Sequence, residues 1–576
     1  METKICGDEK TKPRFPACKF VRFGANCGMS SPALLIDSRD TLAVALRDLP
    51  AGEKVKVAGR DVLLVEPIAA KHKFTLDPMQ PGDTALMYGV TVGRALRPIP
   101  AGGLISTENL AHQSDDYSTG GRHALSWTAP DVSAWKDRTF QGYHRSDGSV
   151  GTANHWLVVP LVFCENRNIM FLKEALEKAL GYGKTGPYEA FARKLAGAVR
   201  SGQGLESVTF DETATGVAED RLFPGVDGIK FLTHSLGCGG TRDDARALCG
   251  LIAGYITHPN VAGATVLSLG CQNAQVDLLK EEIQLRRPGF DKPLLIFEQQ
   301  GWPSERAMLE AAMRDTVGGL AEANRLRREP APLSKLVFGM ECGGSDGFSG
   351  ISANPAVGQA ADLLVALGGS VILSEFPELC GVEQELVNRC LSDEDAVRFA
   401  DLMRVYNARA EAVGAGFHMN PSPGNIRDGL ITDAIKSAGA AKKGGTSPVV
   451  EVLDYPELVT RPGLTLLCTP GGDVESTTAM AAAHANVMFF TTGLGTPTGN
   501  PVCPVVKVAT NSTLATRMPD IIDYDAGPII TGDRSVAQSG ADLLNLAIEI
   551  ASGNHQTKAQ ILGQDDFQPW KRGVSL

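Results

Sequence analysis

The chain has 576 residues and a formal net charge of -11. That length exceeds what one hydrophobic core supports, so roughly two to four domains are expected, and the acidic balance excludes nucleic acid or an anionic membrane surface as the main partner. Hydrophobic residues at 43% and charged residues at 21% describe a folded chain rather than a disordered one. No run approaches the roughly 18 to 20 apolar residues of a membrane span. The opening METKICGDEKTKPRFPACK lacks the apolar centre of a secretory signal, so a cytoplasmic location is expected. Twelve cysteines without paired short spacings read as reduced thiols, some of them metal-binding, rather than as a disulfide framework.

Residues 1–30, with Cys6, Cys18 and Cys27 among polar residues, read as a flexible tail. From 31 to 112 short β-type runs such as GEKVKVAG and GDTALMYGVTVGRAL, broken by Gly and Pro, predict a small, mostly β domain. The polar stretch 113–136 has no period and reads as a linker. Beyond it, apolar strands at 156–163, 228–236, 264–269, 293–298, 335–341 and 369–375 alternate with helices near 241–256, 274–286, 303–327 and 383–412. This pattern predicts α/β, Rossmann-like layers on a parallel sheet over residues 137–390. Thr241 followed by Asp243 and Asp244 predicts a helix N-terminus. LTLLCTP, a helix at 475–484, NVMFFTTG, PVVKVAT and a helix at 536–552 place a second α/β domain at 391–576.

Four predicted strands finish in cysteine: Cys164 in LVVPLVFCEN, Cys238 in THSLGCGG, Cys271 in VLSLGCQN and Cys342 in VFGMECGG. Loops beyond the carboxyl ends of parallel strands share one edge, where ligands bind, so these thiols are expected to gather there as metal ligands. Thiolates select iron–sulfur clusters, zinc or copper. Three suit a [4Fe–4S] cluster with one iron open to substrate, and four a closed cluster or structural zinc. Without dense CxxC spacing the sequence leaves that choice open. GYHRSDGSVGTAN (142–154) supplies Arg145, Ser146 and Asp147; SPGNIRDG, AKKGGTSPVVEVLDYPE and the stretch between them supply Asn425, Lys436, Lys443 and Thr446. Ammonium and backbone N–H groups of this kind cradle carboxylates. There is no GxxxxGK[ST] phosphate loop and no well-placed GxGxxG, so nucleotide binding is not indicated.

GYHRSDGSVGTAN, GCGGTRDD, CGGSDGFSGISANPAVG, NPSPGN, KKGGTSPVVEVLDYPE and FFTTGLGTPTGNPVCPVVKVATNS resemble, in order and over nearly all of residues 140–530, the altronate and galactarate dehydratases. IAAKHKF, MYGVTVGRA and IPAGGLISTENL resemble the SAF-type domain at the amino end of those enzymes. The resemblance implies a hydro-lyase that converts a small-molecule sugar acid, such as altronate or galactarate, into a 2-keto-3-deoxy acid. The implied cofactor is iron, sometimes manganese; the strand-end thiols favour a [4Fe–4S] cluster with three cysteine ligands, with mononuclear Fe2+ or Mn2+ as the alternative. It marks His72 for acid/base work; from their places in the chain, Ser345 and Asp346 just after Cys342 and His234 four residues before Cys238 are further catalytic candidates, and Glu375 at a strand end is a hydroxyl contact. Arg145 and Lys443 are expected on the substrate carboxylate. A homodimer is compatible with this reading.

The chain also departs from the family pattern. Ser106, Thr107, Glu108 and Asn109 replace a His-Thr-His-Asn stretch, Ala153 and Asn154 replace Arg-Asn, and Gln272 replaces Glu between Cys271 and Asn273. Each exchange alters a charged or metal-capable group. Two rivals therefore stand beside dehydration: a sulfo-lyase that expels sulfite by the same enolate chemistry, and a non-catalytic sugar-acid binding protein.

Overall fold

Two parallel sheets form the body of the protein. The computed structural model describes residues 31–575 apart from 121, 123–125, 184–186 and 212–220; the expected tail at 1–30 lies outside the described residues. The smaller sheet contains β1 (His155–Pro160), β2 (Gly228–Phe231), β3 (Val261–Ser268) and β4 (Leu294–Glu298), in the order β2-β1-β3-β4 and parallel throughout. Every residue of β1 and β3 is buried, as helix-covered faces require. Among its helices are α1 (Asn166–Ala179), α2 (Arg242–Thr257), α3 (Val276–Arg286) and α4 (Glu305–Ala323). Thr241 caps α2 as expected, its Oγ1 accepting the Asp244 N–H at 3.0 Å.

The larger sheet has seven strands: β5 (Val337–Cys342), β6 (Ser370–Leu373), β7 (Val449–Leu453), β8 (Gly463–Leu467), β9 (Val487–Thr492), β10 (Val505–Ala509) and β11 (Tyr524–Asp525), ordered β7-β8-β6-β5-β9-β10-β11. This corrects the expected division at residue 390. Strands β5 and β6 lie at the centre of this sheet and pair with β9 and β8, so they belong with the C-terminal region. A strand–helix alternation reveals strands but not their pairing, and here β6 and β8 join across some ninety residues of intervening chain. The smaller α/β unit closes instead where Glu329–Pro332 pairs antiparallel with Thr139–His144.

Eight short strands between Ala33 and Ala111 make the β-rich N-terminal domain. It shares a core with the large-sheet unit: Leu42, Met87 and Val92 pack with Phe348, Ile351, Leu430 and Ile435. The described residues of 113–136 are irregular but tethered, with Ser118 N–H on Gln384 and Trp135 Nε1–H on Asn545 Oδ1.

Candidate active site and a cluster of strand-end thiols

In each sheet the strand order reverses at one strand, and the loops leaving carboxyl ends diverge there to open a crevice. In the large sheet that strand is β5, between β6 and β9, and its last residue is Cys342. Strand β6 is followed by Ser374 and Glu375. Glu375 adopts φ 62° and ψ 57°, a left-handed conformation uncommon outside glycine. Strain of this kind persists where the surroundings over-determine it, and here it brings the carboxylate back towards the end of β5.

Lys443 Nζ lies 2.7 Å from Cys342 Sγ and 2.6 Å from Glu375 Oε2, while Cys342 Sγ lies 3.3 Å from Glu378 Oε2. Lys436 Nζ lies 2.7 Å from Glu378 Oε1 and 2.8 Å from Asn420 Oδ1. Cys342, Glu378, Lys436, Asn420, Asn425 and Asp473 line one cavity of about 480 Å³. Glycine is required beside it: a Cβ on Gly343 would sit 2.1 Å from Asp473 Oδ2.

Burial governs the electrostatics. It pushes the Cys342 thiol well above its ordinary value, and the neighbouring Glu375 adds to the push. Burial also raises Glu375, against the pull of Lys443. At Glu378 the burial penalty is outweighed by Lys436 and Lys443, which hold its carboxyl below the usual range. Burial would lower Lys443, but Cys342 and Glu375 overcome it and keep the ammonium charged. Glu341 is pushed well up by burial and then by Glu375. Asp473 is raised to about 7, by burial first and then by Glu375 and Glu378, which places it where a general base works best at neutral pH.

Cys342 Sγ and a carboxylate oxygen from each of Glu375 and Glu378 lie within 4.8 Å of one another. Bonds of about 2.0 to 2.3 Å to one central ion span such separations, and one soft sulfur with two hard oxygens suits a divalent transition ion such as Fe2+ or Mn2+. The donor set therefore fits a single metal ion, the alternative in the sequence reading, and not the favoured cluster of three cysteines.

The N-terminal domain is tied to the loops behind this cavity. Lys71 Nζ pairs with Asp346 at 3.0 Å and Asp428 at 3.2 Å, and Lys73 Nζ donates to Gly429 O at 2.6 Å. Burial lowers Lys73 to about 7. Asp346 also accepts from Thr510 Oγ1 at 3.0 Å and Phe348 N–H at 3.1 Å, so it is a tie between loops and domains. His72 is half-buried in the same loop, with Nδ1 3.2 Å from Ala70 O. Ser345, whose carbonyl accepts Asn425 Nδ2–H at 2.8 Å, is buried between Gly344 and Asp346.

Other expected site residues are committed elsewhere. Arg145 donates to Pro259 O, Asn154 Oδ1 and Ala153 O, Ser146 to Asp291, and Asp147 pairs with Arg287; all three brace the smaller α/β unit. Thr446 donates through N and Oγ1 to Asp362. His234 Nδ1 accepts the Leu236 N–H at 3.1 Å and Nε2 donates to Pro160 O at 2.8 Å, which leaves no ring nitrogen for proton transfer. Buried, it is held down to about 4. Glu378 and Asp473 were missed in the sequence. The Glu-x-x-Glu spacing of SEFPEL, one helical turn, is a signal for the former; nothing near Asp473 marks it.

The four strand-end thiols do not form one set. Cys164, Cys238 and Cys271 are exposed on the smaller sheet, whereas Cys342 is buried on the larger one among Glu375, Glu378 and Lys443. Sequence position marks the end of a strand, not the sheet it joins.

Three family descriptions match consecutive parts of the chain: the altronate/galactarate dehydratase SAF domain at 31–113, the second domain of D-galactarate dehydratase/altronate hydrolase at 142–324, and the C-terminal domain of D-galactarate/altronate dehydratase at 333–575. Altronate dehydratase of Escherichia coli (strain K12) is 33% identical over 94% of this chain and 99% of its own length. Galactarate dehydratase (L-threo-forming) of the same organism is 31% identical over 91% of this chain and 94% of its own. The (2R)-sulfolactate sulfo-lyase subunit beta of Chromohalobacter salexigens is 30% identical, covering 75% of this chain and 97% of its own.

Proposed function

The chain belongs to the D-galactarate/altronate dehydratase family, and from that premise we propose that it is a hydro-lyase acting on an aldonate or aldarate at the Cys342 cavity. The product is a 2-keto-3-deoxy acid. The reaction removes a proton from C2 and the hydroxyl from C3, releasing water and an enol that becomes the ketone. What carries this reading is one polar cavity that combines Cys342, Glu378 and Lys436 with Asp473, a carboxylate raised to about 7.

Asp473 takes the C2 proton. Its raised value makes it a stronger base than an exposed aspartate yet leaves it ionised above neutrality. The Lys436 ammonium in the cavity wall holds the substrate carboxylate and opposes the charge that grows on it as the enolate forms. Lys443 pairs with Glu375 beside Cys342 and offsets part of the cost of burying the carboxylate. Asn425 and Asn420 orient hydroxyls along the wall. When bound by Cys342, Glu375 and Glu378, a ferrous or manganous ion supplies the Lewis acidity that a poor leaving group such as hydroxide needs.

A second reading follows from the sulfo-lyase relative, since loss of sulfite from C3 uses the same enolate. That relative spans three quarters of this chain, whereas the E. coli altronate dehydratase spans 94%, which favours dehydration. Protein prepared without oxygen and supplied with Fe2+ is incubated with aldonic, aldaric and sulfo acids, and 2-keto acid and sulfite are measured. Dehydration predicts 2-keto acid without sulfite from at least one polyhydroxy acid. Consumption of none of them overturns the proposal.

A further inference from the structure

We infer that Cys164, Cys238 and Cys271 hold an iron–sulfur cluster, a centre separate from the Cys342 cavity and independent of the proposed reaction there. The placement is topological. Strands β2, β1 and β3 are adjacent in the smaller sheet, β1 being the strand at which its order reverses, and each thiol follows the carboxyl end of one of them. Neighbouring strands lie about 4.8 Å apart, so their exit loops run side by side.

Those loops are tied together. Phe163 N–H donates to Leu236 O at 3.0 Å, Asn273 N–H to Gly237 O at 3.0 Å, and Asn273 Nδ2–H to Cys238 O at 3.0 Å. His234 links Pro160 O at the end of β1 to the Leu236 N–H in the loop after β2. Gly237, at φ 99°, permits the approach: a Cβ there would sit 2.1 Å from Leu161 O. The fold thus spends a buried histidine and a left-handed glycine on holding three exposed thiols in fixed relation.

Separation selects the ligand. A tetrahedral ion bonded to thiolates at about 2.3 Å draws the sulfurs to about 3.8 Å from one another. Among the described residues, Cys342–Glu375–Glu378 and His112–Cys380–Asp433 converge within 4.8 Å, and the three strand-end thiols do not. A set on three adjacent strand ends, wider than one ion requires, matches the faces of a cubane cluster bound by soft thiolates. Ligation replaces three S–H bonds by three Fe–S bonds, releases three protons and leaves one iron without a cysteine.

The test is composition, not turnover. Full-length protein purified without oxygen, and a portion reconstituted with ferrous iron and sulfide, are assayed for iron, acid-labile sulfide and absorption near ~400 nm. The expected content is about four irons and four sulfides per chain, as for a [4Fe–4S] cluster. Cys238→Ser/Cys271→Ser should lower the sulfide at least tenfold, while Cys342→Ala retains it. Alkylation followed by mass spectrometry gives a readout on the unaltered chain: Cys164, Cys238 and Cys271 should be protected in the reconstituted protein and labelled after chelation. Iron without sulfide, sulfide that survives the double substitution, or sulfide lost in Cys342→Ala would each overturn the assignment.

Discussion

Lys443 and Cys342 are 101 residues apart in the chain, yet the ammonium lies 2.7 Å from the sulfur and 2.6 Å from Glu375 Oε2. The pair is almost wholly buried, so neither charge in this group has water to fall back on. Removing one partner of such a pair costs about 3 to 5 kcal/mol, because the other charge is stranded. Lys443→Met is expected to destabilise the protein by that amount, and adding Glu375→Gln should restore part of the loss. Urea denaturation of the two single variants and the double variant measures the coupling.

Asp473→Asn tests the base. Turnover should fall roughly 10²- to 10⁴-fold with little change in substrate affinity. In the unaltered enzyme Asp473 must lose its proton to act, and its value lies at about 7. kcat/KM is therefore expected to rise with pH through about 7 and then level off. A profile flat from pH 5 to 9 would remove Asp473 from that role.

His234 separates a structural from a catalytic histidine. Its folded value is about 4 against an ordinary 6.5. A histidine depressed by folding contributes stability above its unfolded value, and that contribution is lost as pH falls from about 6.5 towards 4. His234→Ala should leave two main-chain groups without partners, cost about 1 to 3 kcal/mol, and flatten the stability curve across that interval. Turnover per folded molecule at pH 8 should stay within about twofold; a larger loss would restore a catalytic role.

Docking of the N-terminal domain is tested at Gly350. A Cβ there would meet Tyr88 Oη at 2.2 Å and Gly439 Cα at 2.6 Å. Gly350→Ala is expected to cost about 1 to 3 kcal/mol through overpacking. It should also loosen the Lys71–Asp346 contact, raising KM and speeding proteolysis between the N-terminal domain and residue 137. Equal proteolysis in both proteins would show that the contact does not govern docking.

Much of the architecture was legible in the chain because it is local. Alternating apolar runs marked every strand of the smaller sheet, and Thr241 with Asp243 and Asp244 marked the start of α2. A strand that ends in cysteine and glycine is likewise visible without a structure, as are the long motifs that carry the family resemblance. Arg145, Ser146 and Asp147 misled for a related reason: a polar, glycine-rich loop looks the same whether it binds a ligand or braces a domain, and here Arg145 is consumed by three oxygen acceptors.

The sequence by itself determined the strands of the smaller sheet, the capping of α2 and the thiols at strand ends, since those follow from side-chain periodicity and near-neighbour hydrogen bonds; α1 at Asn166–Ala179 was not among the expected helices. Only the tertiary structure decided which ends share an edge. Strand pairing joins β5 to β9 across some 140 residues and leaves β1, β2 and β3 in another sheet, so Cys342 meets Glu375, Glu378 and Lys443 rather than Cys238 and Cys271. The raised value of Asp473 is of the same kind, since burial and the nearness of two glutamates exist only once the chain has folded.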